Sequence, residues 1–213
     1  KDVPGLWTED ELHEKGVYRI NNPDGTFVAN KDFRDDPDAN PLETPSGKIE
    51  IYSAKLAEMA KTWEFPDAEP GDKIIPLPEF VETWEGALAA REDKDYPLQM
   101  IGHHFKGRTH SSYGSVDWLK EAHPQKIWIS VPDAEARGIE NGDLITVTSR
   151  RGAIQGHAFV TERIIPGVMS IPQGAWYDPN KDGVDDGGCV NTLTGIHAST
   201  VCIGNPQHTN LVE

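Results

Sequence analysis

Residues with the means to do chemistry cluster in three glycine-punctuated stretches. The first, GHHFKGRTHSS over 102–112, gathers Lys106, Arg108, His103, His104 and His110 in one short loop. Its flanking glycines let backbone approach a ligand closely, and the guanidinium offers a planar fork that matches a phosphate or carboxylate. An anion site is the natural reading. Three imidazoles also raise a zinc site, but neighbouring His103 and His104 cannot readily face one ion from a strand, and the loop holds no carboxylate. A solvated basic loop is the plain alternative.

The second stretch, QGAWYDPNKDGVDDGGCVNTLT over 173–194, places Trp176, Tyr177 and Asp178 beside Gly174, and Asn191 after Gly187 and Gly188. Flat aromatic rings next to residues without bulk form a slot for a planar heterocycle, whose polar edge Asp and Asn can pair. Asp178, Asn180, Asp182 and Asp186 resemble calcium ligands only superficially. Cys189 stands where an EF-hand loop needs its closing Glu, so an acidic surface turn is preferred. The third stretch, GNPQHTN over 204–210, sets Asn205, Gln207, His208 and Asn210 around a proline, a pattern that also suits simple turn capping.

Other chemistries lack their signatures. Ser111, Ser112 and Ser115 lie near histidines, but there is no GxSxG elbow, and neither GxGxxG nor a Walker motif occurs. Cys189 and Cys202 have no CxxC spacing and are too few for a four-cysteine cluster. They read as small buried side chains, with one disulfide between them as the alternative.

The elements that must position these loops are short. SGKIEIYS alternates Ile49 and Ile51 with Lys48 and Glu50, the period of a strand. AKLAEMAKTW, over 54–63, puts Leu56, Met59 and Ala60 on one helical face. FPDAEPGDKIIPLPEFVETWEG, over 65–86, is too rich in proline for a regular element and reads as an extended connector. Its Phe65, Phe80 and Trp84, with Trp63 just before it, suit packing on a neighbouring domain. Beyond a boundary near residue 95, YPLQMIG is strand-like. PDAEARGIENGD reads as a helix capped by Gly138 and followed by an Asn141-Gly142 turn. LITVTS, AIQGHAFV and GVMSIP read as three further strands. Short strands broken by glycine turns, with small inserted helices, imply a mainly β domain closed into a barrel.

Composition narrows the partners. A net charge of -15 over 213 residues disfavours nucleic acid and anionic membrane surfaces, so an anionic ligand needs a local basic island. No apolar run of about eighteen residues occurs, and the start KDVPGLWTEDELHEKG carries neither a signal-peptide core nor an initiating Met. An excised or processed piece of a longer protein is expected.

The succession GHHFKGRTHSSYGSVDWL, WISVPDAEARGIENGDLITVTSRRG, PGVMSIPQGAWYD, GGCVNTLT and GNPQHTNLVE resembles the C-terminal domain of anaerobic dimethyl sulfoxide reductase catalytic subunits, within the bis-molybdopterin guanine dinucleotide oxidoreductases. The likeness covers 96–213, and TPSGKIEIYS is similar to the end of the preceding family domain. It implies three parts: residues 1–55 as the tail of that domain, 56–95 as a short helix and acidic connector, and 96–213 as a six-stranded double-psi β-barrel.

The resemblance also implies that molybdopterin guanine dinucleotide, two copies holding molybdenum, is bound in the full-length enzyme and expected to be absent from the isolated fragment. His103, His104, Arg108, Thr109, His110 and Ser111 would wrap pterin and pyrophosphate. Trp176, Tyr177 and Asp178 would lie against the cofactor, Asn191 would meet one pterin, and Asn205 with His208 the other. No catalytic or metal-ligating residue is implied here, because the family's cysteine cluster, twin-arginine leader and serine-type molybdenum ligand belong to a front half these residues do not include. The implied partners are the N-terminal domains of the same subunit, an iron–sulfur electron-transfer subunit and a membrane anchor. The implied location is the periplasmic side of a bacterial cytoplasmic membrane. The expected chemistry of the whole enzyme is reduction of an S-oxide or N-oxide, with the isolated chain inactive. Two other readings stand beside it: a self-contained double-psi binding module, and a small hydrolase built on the His-rich loop.

Overall fold

The computed structural model describes residues 7–17, 25–64, 72–201, 204, 208 and 210–213. The chain divides into two units, Lys1–Ile51 and Tyr52–Glu213. Among its described residues the first unit holds two short helices, α1 (Glu9–Lys15) and α2 (Lys31–Asp35), neither of which buries a residue. Helix α1 starts in a capping box, with Thr8 accepting from the Glu11 amide and the Glu11 carboxylate accepting from the Thr8 amide. The strand expected at 48–51 does not form. Ile49 and Ile51 are largely exposed, and alternation without a partner strand cannot fix extended backbone.

In the second unit, Ser53 caps α3 (Ala54–Thr62) by accepting from the Leu56 amide. Leu56 and Met59 are half-buried on its face, while Ala60 is exposed. The connector from 72 has no regular element until a short helix, α4 (Ala87–Glu92), which the sequence pattern did not announce. Then follow β1 (Leu98–His103), α5 (Asp117–Ala122), β2 (Lys126–Ser130), α6 (Val131–Arg137), β3 (Leu144–Thr148), β4 (Ala153–Thr161), β5 (Val168–Pro172), a 3-10 turn at Val190–Thr192 and β6 (Asn210–Val212). Helix α6 is specified at both ends. Ser130 accepts from the Asp133 amide, Pro132 sits in the first turn, and Gly138 closes the helix in the left-handed region at φ 66°.

Among the described residues six strands form one sheet in the order β3-β4-β2-β5-β1-β6. β1 and β5 run parallel, as do β2 and β4, and the remaining neighbours are antiparallel. The sheet curls until its outer strands touch. The Thr148 amide donates to the Glu213 carbonyl at 2.7 Å, and the Glu213 amide returns a bond at 3.0 Å. Along β2, Ile127 and Ile129 point inward, whereas Lys126 and Trp128 point out, so period-two patterning fills the interior. Leu98, Met100, Val147, Ile154, Met169, Ile171 and Val212 join that core, with Ala134 of α6, Val190 of the 3-10 turn and Leu193 just after it. Each of these buried Ile, Val, Leu and Met side chains stabilises the fold by roughly 1.5–3 kcal/mol.

The connector packs on the sheet of its own unit, where its aromatic residues had suggested a neighbouring domain. Glu85 is 8% exposed. It receives both terminal nitrogens of Arg151, from the β3–β4 turn, at 3.1 and 2.6 Å, and the Leu211 amide of β6 at 2.8 Å. Arg150 pairs with Asp93 and lies over the Tyr96 ring, holding Asp93 below the usual carboxylate range. Trp84 stacks edge-on against His197, 4.4 Å between centroids, while Phe80 stays exposed. Phe65 lies outside the described residues.

Candidate cofactor-binding site

Strand direction brings the polar stretches to one rim. β1 and β5 are parallel, so the loops leaving His103 and Pro172 start side by side, and the Gln173 amide donates to the His103 carbonyl at 3.0 Å. β2 and β4 run opposite to β5, which puts their beginnings, Gln125-Lys126 and Ala153, at the same end. The resulting rim is built from loop 104–116, loop 173–189 and the entry to β2.

Side chains then lock the loops. The Trp176 indole donates to the Ser111 carbonyl at 2.8 Å. It lies so close over Gly114 that a Cβ there would stand 2.8 Å from the indole nitrogen. Gly174, at φ 86°, backs onto the His110 carbonyl oxygen, which any Cβ would overlap. His110 and Tyr113 themselves sit at φ 51° and 70°, in the left-handed region. For a bulky aromatic such as Tyr113 that conformation is uncommon.

Asp185, fully buried, organises the second loop. Its Oδ1 accepts from the amides of Asp178 (2.8 Å) and Gly187 (2.9 Å), and its Oδ2 from the Cys189 amide (2.6 Å) and the Thr192 hydroxyl (3.3 Å). Its backbone bonds to Ala153 and Gln155 of β4 pin the loop to the sheet. The neighbouring acidic turn is satisfied internally, with Asn180 accepting from the amides of Asp182 and Val184 and donating to Asp186. Among the described residues no group of three or more His, Cys, Asp or Glu side chains is arranged to hold a metal ion.

Arg108, Trp176, Tyr177 and Asp178 line one cleft of about 670 Å³, together with Ser115, Lys120 and Gln125. Arg108 is held by a cation–π contact, 4.4 Å above the Phe105 ring, and by two bonds from one terminal nitrogen, to Gln125 Oε1 (2.6 Å) and the Gln173 carbonyl (3.0 Å). Among the described residues its buried Nε–H has no hydrogen-bond partner. No carboxylate pairs with it among the described residues, in contrast to Arg137, Arg150 and Arg151. The Trp176 and Tyr177 side chains remain more than half exposed at the cleft wall.

His103 and His104 line a separate cleft of about 440 Å³ with Trp128, Phe159 and Lys126. His103 Nδ1 lies 2.7 Å from the Ser170 hydroxyl, and burial lowers its pKa. Thr109, His110 and Ser111 form an exposed turn, with His110 and His104 5.1 Å apart between ring centroids. Asn191 is exposed in the 3-10 turn and lines neither cleft. Nor does His208, whose Nδ1 accepts from the Gly102 amide at 3.2 Å beside β1. Asn205 and Cys202 lie outside the described residues, and Cys189 carries a free, half-buried thiol.

Residues 98–211 match the family model described as Molydopterin dinucleotide binding domain. The chain belongs to this family. Dimethyl sulfoxide reductase DmsA of Haemophilus influenzae is 49% identical over 99% of the chain, and trimethylamine-N-oxide reductase 1 of Escherichia coli K12 is 35% identical over 96%. The chain spans about a quarter of these relatives, 26% and 24% of their lengths. Among solved structures, acetylene hydratase from Pelobacter acetylenicus shares the fold, with a TM-score of 0.63 at 19% identity, over 84% of this chain and 24% of that one.

The rim fits a pterin dinucleotide by its chemistry. An uncompensated guanidinium with a spare N–H suits a pyrophosphate, exposed rings suit a planar heterocycle, and a carboxylate suits that ring's N–H edge. Sequence reading missed Gln125 and Asp185, which build the cleft without any motif of their own.

Proposed function

We propose that this chain is the cofactor-gripping portion of a molybdenum oxidoreductase that reduces S-oxides or N-oxides and is inactive on its own. The observation that carries this reading is the convergence of Arg108, Trp176, Tyr177 and Asp178 on one cleft of the dinucleotide-binding domain. In it, Arg108 takes a phosphate oxygen of molybdopterin guanine dinucleotide, Trp176 and Tyr177 lie against the heterocycle, and Asp178 accepts from its edge. Thr109, His110 and Ser111 border the same group. His103 and His104 approach a second dinucleotide from the neighbouring cleft, while Asn191 and His208, which lie outside both clefts, and Asn205 are assigned to the pterin edges that reach beyond them. Bound molybdenum supplies the two-electron oxygen-atom chemistry, and this chain's residues bind, orient and exclude water.

A closed double-psi barrel is the topology we assign, supported by the contact of the outer strands at Thr148 and Glu213. Residues 1–55 are read as the tail of a preceding domain of the same subunit and 56–95 as the connector. An iron–sulfur subunit and a membrane anchor are the partners this implies, with the full complex on the periplasmic side of a bacterial cytoplasmic membrane.

The test is the molybdopterin content and S-oxide reductase activity of the full-length protein carrying Arg108→Ala or Trp176→Ala. Loss of both content and activity, with folding intact, supports the reading. Full cofactor content in both variants, or reductase activity from the 213-residue chain alone, overturns it.

A further inference from the structure

The two rim loops leave neighbouring strands, and one side chain from neither loop joins them. Gln125, at the entry to β2, accepts from Arg108 through Oε1 at 2.6 Å and donates from Nε2 to the Gly188 carbonyl at 2.9 Å. These partners lie 17 and 63 residues away in sequence. The opposite amide orientation would set an NH2 group against a guanidinium and an oxygen against a carbonyl, so chemistry fixes which way it faces. Gly188 sits at φ 72° and presses against the same amide nitrogen, so this loop approaches Gln125 as closely as a residue without a side chain allows.

We propose that Gln125 is a positioning residue for the anionic part of the dinucleotide: it sets the Arg108 guanidinium against the Gly187–Gly188 backbone while leaving the positive charge unspent. This rests on the anion-binding reading of the cleft given above. The neutrality of the amide is the point. Both acceptors of the Arg108 terminal nitrogen are uncharged, Gln125 Oε1 and the Gln173 carbonyl, so the guanidinium is held in place without being neutralised. Its Nε–H stays unpartnered. A carboxylate at 125 would grip the arginine harder, cancel its charge and lose the donor to Gly188. An apolar residue would release both loops.

The 213-residue chain, titrated with inorganic pyrophosphate and followed by the NMR signal of the Arg108 Nε–H, tests this, with thermal melting recorded in parallel. The wild type is expected to bind saturably and Arg108→Ala to lose binding. Gln125→Glu is expected to melt close to the wild type yet bind at least about tenfold more weakly, because a charge-assisted contact is exchanged for an internal ion pair. Gln125→Ala weakens binding as well; should it fail to fold, Gln125→Glu alone decides. If Arg108→Ala abolishes binding while both Gln125 variants bind like the wild type, the positioning role is refuted and the anion cleft stands. If the wild type does not bind, or Arg108→Ala binds equally well, the anion cleft itself is refuted and this inference falls with it.

Discussion

At Ile129 and at Asp185 the molecule buries a side chain completely, and what surrounds the two could hardly differ more. Ile129 sits among Met169, Ile171 and other aliphatic groups of the sheet interior, where burial alone pays for order. Asp185 sits under the rim among backbone amides, and four of its contacts are hydrogen bonds reaching two to seven residues along the chain. The interior is held by area and shape, the rim by satisfied polar valences. That division leaves the rim's aromatic rings and its guanidinium free to serve a ligand.

Four substitutions and one titration can break or sharpen that contrast. Ile129→Ala, which opens a cavity between β2 and β5, is expected to cost roughly 2–5 kcal/mol in chemical denaturation. Asp185→Asn leaves Oδ contacts mismatched and is expected to cost about 2–3 kcal/mol, with the loss concentrated in loop 173–189 by hydrogen exchange. If it costs nothing, the rim is not organised as described. Glu85→Ala removes the carboxylate shared by Arg151 and the Leu211 amide and is expected to cost roughly 2 kcal/mol, freeing β6 and the connector together. Trp176→Ala is expected to cost about 1 kcal/mol, since the ring is more than half exposed but its bond to the Ser111 carbonyl is lost, while pterin dinucleotide retention in the full-length protein collapses.

The smallest effect is a pH dependence. Burial lowers the His103 pKa beneath its ordinary value of about 6.5, so the unfolded chain takes up that proton first as pH falls. Its contribution to stability is therefore intact above that value and is lost progressively as the pH drops through the lowered folded value. His103→Gln, which keeps a partner for Ser170, is expected to flatten the stability profile in that window. An unchanged profile would show that the ring is solvated.

Much of the sheet was legible because its signals are local. The strand at Leu98–His103, the three strands from Leu144 to Pro172, and α6 with Gly138 at its end each follow from patterning within a few residues. Helices α4 and α5 carry no comparable signal; Ala90 of α4 is buried against the rest of its unit, a contact no local pattern shows. At 48–51 the opposite happened, since a perfect alternation found no partner strand. The site divides along the same line. Arg108, Trp176, Tyr177 and Asp178 stood out by residue type, but that His103 and His104 open onto a different cleft depends on the direction of side chains at the end of β1. Gln125 and Asp185 stayed hidden because a glutamine before a strand or one aspartate in an acidic run shows its role only through the amides and guanidinium that folding brings to it.

The most direct test is the structure of the full-length protein with its cofactor bound. A dinucleotide phosphate within hydrogen-bonding distance of Arg108, with the heterocycle against Trp176 and Tyr177, is the predicted result. A cofactor bound elsewhere, with this cleft filled by protein side chains, would contradict the account.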